Sequence, residues 1–489
     1  MKPEPFATVE RGQTAAAPGD TVYIRGGIYA FSGTSRTSGV SFTKSGQPDQ
    51  RINYYAAPGE TPIFDLFDLT PQARVTGLDV NASYIHVRGL EVRGVRQIIV
   101  GDSWGVRIRG DGNVIENLNV HDNEAPGIFI TSGADNLILN SDSHHNYDPL
   151  EDGGNADGFG CHSPGGGNLF SGCRAYENSD DGFDFINADD SCTVEKSWAF
   201  RNGWEPETNT AAGNGSGFKC GGYGLEPSDF PPAIPRHVIR FNVAFRNRSQ
   251  GFYANHHPGG IDFFNNTAFG NGTNFDMLAD VGESSHTLRN NVAMDPGGEV
   301  SRLSGGTDTF NSWSLPVAVS TDDFQSVDEA EALAPRAADG SLPSMSFLRL
   351  APGSDLIDQG EDVGLPYNDA APDLGAFESG APLGGSGGSA GAAAGGTSGG
   401  STASGGVGGG LAGSGGVATA GTGAAGGAFP STGGAAAGAT SGGAAGRRGD
   451  PAAADAGCGC RVPSRHGGPN AAVLALALLA AALRRGLRR

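Results

Sequence analysis

Six asparagines, each closing a short alternating segment, recur at positions 123, 146, 178, 202, 247 and 271, in steps of 23, 32, 24, 45 and 24. The segments leading into them are IENLNVHDN (115–123), ILNSDSHHN (138–146), FSGCRAYEN (170–178), VEKSWAFRN (194–202), IRFNVAFRN (239–247) and FFNNTAFGN (263–271). A period near 23 with occasional insertions means a solenoid, in which each repeat buries its apolar face only against its neighbours. A second column runs with the first, as Gly127-Ile128, Gly158-Phe159, Gly182-Phe183, Gly217-Phe218 and Gly251-Phe252. Strands of three to five residues with period-two alternation and Gly or Asn at the corners predict an all-β chain, a parallel β-helix. Helical repeats need longer runs, and the leucine pattern of a leucine-rich repeat is absent. Asn is expected to stack as a ladder of amides in the turns, and apolar positions such as Phe183, Val194 and Phe200 to stack inward.

The repeat assigns residues 1–305 to the β-helix. Its start, ATVERGQTAAAPGDTVYIRGGIY (7–29), reads as a short amphipathic helix, a turn and a first strand, so the helix caps the open end of the solenoid. Residues 306–380, closing in APDLGAFE (371–378), read as an irregular extension packed along the helix or over its far end. From Ala381 to Gly446 there is no charged residue, only Gly, Ala, Ser, Thr and a few apolar residues, so 381–456 is expected to be a disordered linker. Residues 457–489 hold a GCGC motif, the apolar run AAVLALALLAAAL (471–483) and a basic end.

The formal charge of −21 divides unevenly: residues 381–489 carry a net +6 and residues 1–380 carry −27. So acidic a body argues against a nucleic-acid partner, and an anionic polymer would need a cation to mediate. Cys161, Cys173, Cys192 and Cys220 lie in the body without the CxxC or His partners of a zinc site. One or two disulfides, or four buried thiols, both fit.

In a parallel β-helix, residues one coil apart are neighbours at about 4.8 Å. Aligning the Gly-Phe pairs of NADGFG (155–160), NSDDGFDF (178–185) and GSGFKCGG (215–222) puts Asp157 and Asp181 at one position of successive coils, with Asp180 beside them. The same alignment puts Asp184 and Lys219 at equivalent positions of adjacent coils. Four converging carboxylates repel one another unless a cation is bound. Ligands that are all oxygen, without Cys or His, favour Ca²⁺. The chain has only four Lys against 28 Arg, and one of them is placed in this acidic cluster. Lys can act as a base, whereas Arg cannot. Asn255, His256 and His257 are candidates to line a groove one coil beyond Lys219, and Asp189 and Asp190 read as turn residues.

NADGF, SDDGFDF and NGSGFKCGG, with SWAFRNG (197–203) and the closing DLGAFE, resemble polysaccharide lyase family 9, the pectate-lyase-like right-handed parallel β-helix enzymes. The resemblance covers most of residues 5–380. It implies that Asp157, Asp180, Asp181 and Asp184 hold calcium and that Lys219 is the Brønsted base. It further implies β-elimination on a 4-linked uronate, an anionic polysaccharide, with an alkaline optimum. Cys220 stands where an aliphatic residue is expected. A non-catalytic polysaccharide-binding β-helix, or a lyase for another uronate glycan, are the rival readings; a hydrolase with paired carboxylates suits the Lys and the all-Asp cluster less well.

The spacer, Cys motif, short apolar run and terminal arginines resemble the C-terminal sorting signal of myxobacterial surface proteins, MYXO-CTERM. That resemblance implies secretion and cell-surface display, with membrane contact only through the tail. The opening MKPEPFATVERG has no apolar run of a leader, so a signal peptide is expected to be missing from this N-terminus. A monomer is expected.

Overall fold

The computed structural model describes residues 5–380, apart from 71–72, 100–102, 163–164, 225–227, 229, 279–284 and 296–299. The linker at 381–456 and the sorting tail at 457–489 lie outside the described residues. Among the described residues no helix is long and apolar enough to cross a membrane.

The chain winds as a right-handed parallel β-helix. Three sheets run its length with eleven, ten and ten strands among the described residues, each strand pairing with its equivalents one coil before and after. The first sheet runs from Thr21–Ile24 to Thr307–Thr309, the second from Gly27–Gly33 to Val292–Met294, and the third from Ser38–Phe42 to Val300–Ser301. All of these pairings are parallel. The helix Val9–Ala15, capped by Thr8, closes the first coil. Its Gln13 donates to Ser41 O at 3.0 Å and accepts from Thr43 N at 2.6 Å, which occupies backbone groups that the edge strand Ser38–Phe42 would otherwise leave open.

The asparagine column forms the expected ladder between the second and third sheets. Asn123 donates from Nδ2 to Asn146 Oδ1 (2.9 Å), Asn146 to Asn178 (2.8 Å), Asn178 to Asn202 (3.1 Å), Asn202 to Asn247 (2.9 Å) and Asn247 to Asn271 (2.9 Å). Asp122, His145, Glu177, Arg201 and Arg246, each just before a ladder Asn, have positive φ and turn the chain into it. Every amide here is buried, so each rung satisfies groups that would cost about 1–3 kcal/mol if left unpaired. The glycine column stands over this ladder. A Cβ on Gly158 would lie 2.7 Å from Gly182 O and 2.9 Å from Asn178 Nδ2, so only glycine lets the coils stack there.

Inside the bore, Phe159, Phe183, Phe218, Phe252 and Phe275 form a continuous stack with ring centroids 4.7–5.0 Å apart. Phe183 and Val194 face inward as expected, but Phe200 does not. In the strand Trp198–Phe200 it is Ala199 that points into the bore, in a column with Ala175, Ala244, Ala268 and Ala293. Trp198, Phe200, Val243, Phe245 and Phe269 instead form an outer face of the second sheet. The β-helix runs on to Thr309, a few residues past the expected boundary, and the segment after it packs along the side of the helix and buries that face under Phe324, Phe347, Leu350, Leu356 and Leu374. Phe347 sets its ring edge-on to Phe245 at 4.9 Å. Each aromatic so covered contributes about 1.5–3 kcal/mol, which explains why both faces of these strands are apolar. Of the four body cysteines, Cys161 and Cys192 form a disulfide, and Cys173 and Cys220 are buried free thiols.

Candidate active site and metal centre

Two insertions interrupt the regular coils beside the third sheet, one between Asn146 and Asp157 and one between Asn202 and Ser216. The acidic cluster lies at the corner they flank. Asp157 and Asp181 end successive turns into the third sheet, and Asp184 and Lys219 are Cα partners in the strands Phe183–Asp184 and Phe218–Lys219. The register inferred from the Gly-Phe pairs is therefore the observed one.

Main-chain amides fix the carboxylates. Asp157 Oδ1 accepts from Asp181 N (3.1 Å), Asp181 Oδ1 from Ser216 N (2.6 Å) and Asp184 Oδ1 from Ile186 N (2.8 Å). Asp180 accepts from Asn155 N (2.6 Å) on one oxygen and from Asn214 N (2.5 Å) on the other. Asp157, Asp181 and Asp184 each bring one oxygen to a common point, all within 4.8 Å of one another. Asp180 is buried beside that trio and is not part of it. Lys219 Nζ lies 3.2 Å from Asp181 Oδ2 and 3.4 Å from Asp184 Oδ2. The contact with Asp181 Oδ2 lacks hydrogen-bond alignment, so that buried oxygen accepts no hydrogen bond.

Burial, followed by repulsion from Asp180, Asp184 and Asp181, pushes the Asp157 carboxyl well above its ordinary range. Burial raises Asp180 and Asp181 as well, against the pull of Lys219. Burial alone would lower Lys219, but Asp184, Asp181, Asp180 and Asp157 outweigh it and hold the ammonium well above its usual value. One lysine does not balance four carboxylates. Three converging buried carboxylates, with Asp181 Oδ2 left without a hydrogen bond, suit a hard divalent cation.

The other sequence candidates lie elsewhere. Asn255 donates to Gly221 O (2.9 Å), and the buried His257 ring meets Pro235 O (2.9 Å) and accepts from Gly222 N (3.3 Å). Both hold the corner beyond the third sheet rather than line a groove. His256 has positive φ at the same corner, and Asp189 and Asp190 are exposed turn residues. Cys220, beside Lys219, faces the bore.

Two residues were missed by sequence reasoning. The Phe129 ring fills the space a Gly160 side chain would take, with ring atoms 2.2–2.6 Å from the Cβ position, and His162 packs edge-on to it at 5.2 Å. Gly160 pairs with Asp184, so these rings wall the site on its N-terminal side. Register arithmetic carried two coils back from Asp184, through Gly160 to Phe129, would have found the ring, with His162 two residues after Gly160. Burial lowers the His162 imidazole, which favours its neutral form.

A family model described as "Pel9A-like, right handed beta helix region" matches residues 1–291. Pectate lyase L of Dickeya dadantii is 38% identical over 372 residues, 74% of this chain and 84% of that relative. The crystal structure of pectate lyase Pel9A superposes with a TM-score of 0.66 at 36% identity, covering 76% of this chain and 90% of that one. A solved rhamnogalacturonan lyase gives 0.65 at 35% identity, covering 72% and 93%. With the parallel coils and the clustered carboxylates, these matches show that the chain belongs to the Pel9A-like right-handed β-helix family and is a pectate-lyase-like polysaccharide lyase.

Proposed function

We propose that the chain is a calcium-dependent lyase that cleaves a 4-linked uronate polymer, pectate or polygalacturonate, by β-elimination with Lys219 as base. The observation that carries this reading is a single buried lysine in register with Asp184 and within 3.4 Å of two carboxylates of a three-oxygen cluster. Asp157, Asp181 and Asp184 would hold the ion, and Asp180, tied to two main-chain amides, would complete the acidic shell around it. When bound, calcium would offset the cluster's charge and hold the substrate's C6 carboxylate, which acidifies the C5 proton.

Lys219 then does the proton chemistry. Once the surrounding carboxylate charge is compensated, Nζ is released to act as a neutral amine and takes the C5 proton. The electron pair left at C5 forms the C4–C5 double bond, the C4–O bond breaks, and the departing glycosidic oxygen takes a proton from water. Phe129 and His162 wall the centre, and main-chain amides anchor the carboxylates. The relatives named pectate lyase favour pectate as the polymer. The rhamnogalacturonan lyase neighbour supports a second reading, the same chemistry on a rhamnogalacturonan backbone.

The test is the rise in ultraviolet absorbance from unsaturated product when the chain meets polygalacturonate or rhamnogalacturonan at alkaline pH. It is run with calcium or chelator, on wild type and Lys219→Ala. A rise that needs both calcium and Lys219 supports the reading, and the faster polymer identifies the substrate. A folded, calcium-binding chain that yields no product from any uronate polymer points to a binding module instead.

The tail sequence supports secretion and surface display, with membrane contact confined to 457–489. Cell fractionation with and without those residues checks it, since their removal should release the protein from the surface.

A further inference from the structure

The longest step in the asparagine ladder, 45 residues from Asn202 to Asn247, includes an insertion at 203–215 that rises from the corner beside the carboxylates. It folds back on itself: Trp204 bridges Ala211 in antiparallel fashion, and Glu205 N donates to Thr210 O at 2.8 Å. Its returning leg meets the acidic cluster. Asn214 N donates to Asp180 Oδ1 at 2.5 Å, and Ser216 N, just past the loop, donates to Asp181 Oδ1 at 2.6 Å. Two carboxylates are thus aimed by amides on or directly following the returning leg of a loop that lies outside the three sheets.

What holds this loop is a residue of the next coil. Arg248 follows the ladder residue Asn247, and its guanidinium spends its donors on main-chain carbonyls. Nε donates to Gly203 O (2.8 Å) on the outgoing leg, and Nη2 to Gly213 O and to Asn214 O (2.9 Å) on the returning leg. Ser249 adds N to Gly215 O (2.9 Å) and Oγ to Asn214 O. Among the described residues Arg248 makes no ion pair. The base of the loop is closed tightly around it: a Cβ on Gly203 would lie 2.5 Å from Gly215 Cα and 2.8 Å from Arg248 Cβ, and both glycines have positive φ (97° and 80°). A planar fork can span both legs at once, whereas a lysine ammonium cannot.

We propose that Arg248 is a positioning residue for the cation centre: by clasping both legs of the 203–215 loop it sets the amides that aim Asp180 and Asp181, and so sets cation affinity. The inference rests on the reading that the acidic cluster holds calcium. Outer-shell partners of this kind are worth about 10- to 100-fold in metal affinity.

The experiment is calorimetric titration of metal-stripped full-length chain with calcium chloride, for wild type, Arg248→Ala, Arg248→Lys and Ser249→Ala. Arg240→Ala serves as control, because Arg240 pairs with Glu195 on the first sheet, away from the site. Arg248→Ala and Arg248→Lys should bind calcium about 10- to 100-fold more weakly, Ser249→Ala a few-fold more weakly, and Arg240→Ala as wild type does. Saturating calcium should restore kcat in the Arg248 variants, which a merely misfolded protein would not show. If the Arg248 variants do not fold, Ser249→Ala decides. Wild-type binding with unchanged affinity in the folded clasp variants overturns the role of Arg248 alone. Absence of calcium binding in wild type overturns the cation reading and this inference together.

Discussion

Asp184 and Lys219 are Cα partners in adjacent parallel strands, and Lys219 Nζ stands 3.4 Å from Asp184 Oδ2 in a buried site. Sheet register brings this pair together across 35 residues of sequence. If Lys219 is the base, Lys219→Ala and Lys219→Arg should each lower kcat by about 10²–10⁴-fold. Calcium affinity should survive in Lys219→Arg, which keeps the positive charge. Turnover by Lys219→Arg within ten-fold of wild type would exclude the role.

The same contacts set the pH dependence. Without a cation the four carboxylates hold Lys219 above its ordinary value despite burial; calcium, by offsetting their charge, would relax that hold, and the freed amine loses its proton progressively toward alkaline pH. At saturating calcium, kcat/KM should climb from neutral into alkaline pH. A profile that peaks below neutrality would contradict the assignment.

Without a cation, the carboxylates themselves make stability depend on pH. Burial and its neighbours raise Asp180 from 3.8 to about 7 in the folded chain, and raise Asp157 and Asp181 in the same direction. A carboxyl raised by folding binds its proton more tightly in the native state, so stability is lost as pH rises from the unfolded value through the folded one. Chelator-treated protein should therefore lose Tm between about pH 4 and pH 7, and added calcium should restore it. Asp181→Asn should flatten the loss and abolish the calcium response. Thermal unfolding scans across that range, with and without calcium, read all three effects.

Asp142 titrates in the opposite sense. Burial would raise it, but Arg174 and Arg336, at 2.7 Å each, bring it down to about 2. A depressed carboxyl stabilises the fold above its unfolded value of 3.8 and loses that contribution as pH falls toward 2. Arg336 belongs to the extension, so this carboxylate ties the extension to the helix. Asp142→Asn should cost about 2–3 kcal/mol at pH 7, the size of a shift of nearly two pH units, because two guanidiniums lose their charged partner. Denaturant unfolding at pH 7 and near pH 2 checks this, and the difference between variant and wild type should vanish at the lower pH.

Much of this molecule is legible in its sequence because a β-helix converts sequence columns into spatial columns. Asn123 to Asn271 can be read as a ladder since each closes its own strand, and aligning Gly182 with Gly217 is enough to set Asp184 beside Lys219. The side-chain direction of Phe200 was not legible. Period two says that Ala199 and Phe200 face opposite ways, but not which way is in. The answer depends on the apolar cover supplied by 306–380, which has no repeat to read. Nor could the spacing of four cysteines choose the Cys161–Cys192 pair, which depends on where a strand in the third sheet meets the start of one in the first.

The sequence by itself determined the solenoid, its register and the convergence of Asp157, Asp181, Asp184 and Lys219, because those follow from local strand and turn chemistry repeated at a fixed period. Only the tertiary structure decided what the insertions and the extension do. Arg248 reaches across a coil to clasp a loop, and Phe347 covers Phe245. These contacts join segments of unrelated pattern, and their partners are selected by shape and hydrogen-bond geometry in three dimensions rather than by spacing along the chain.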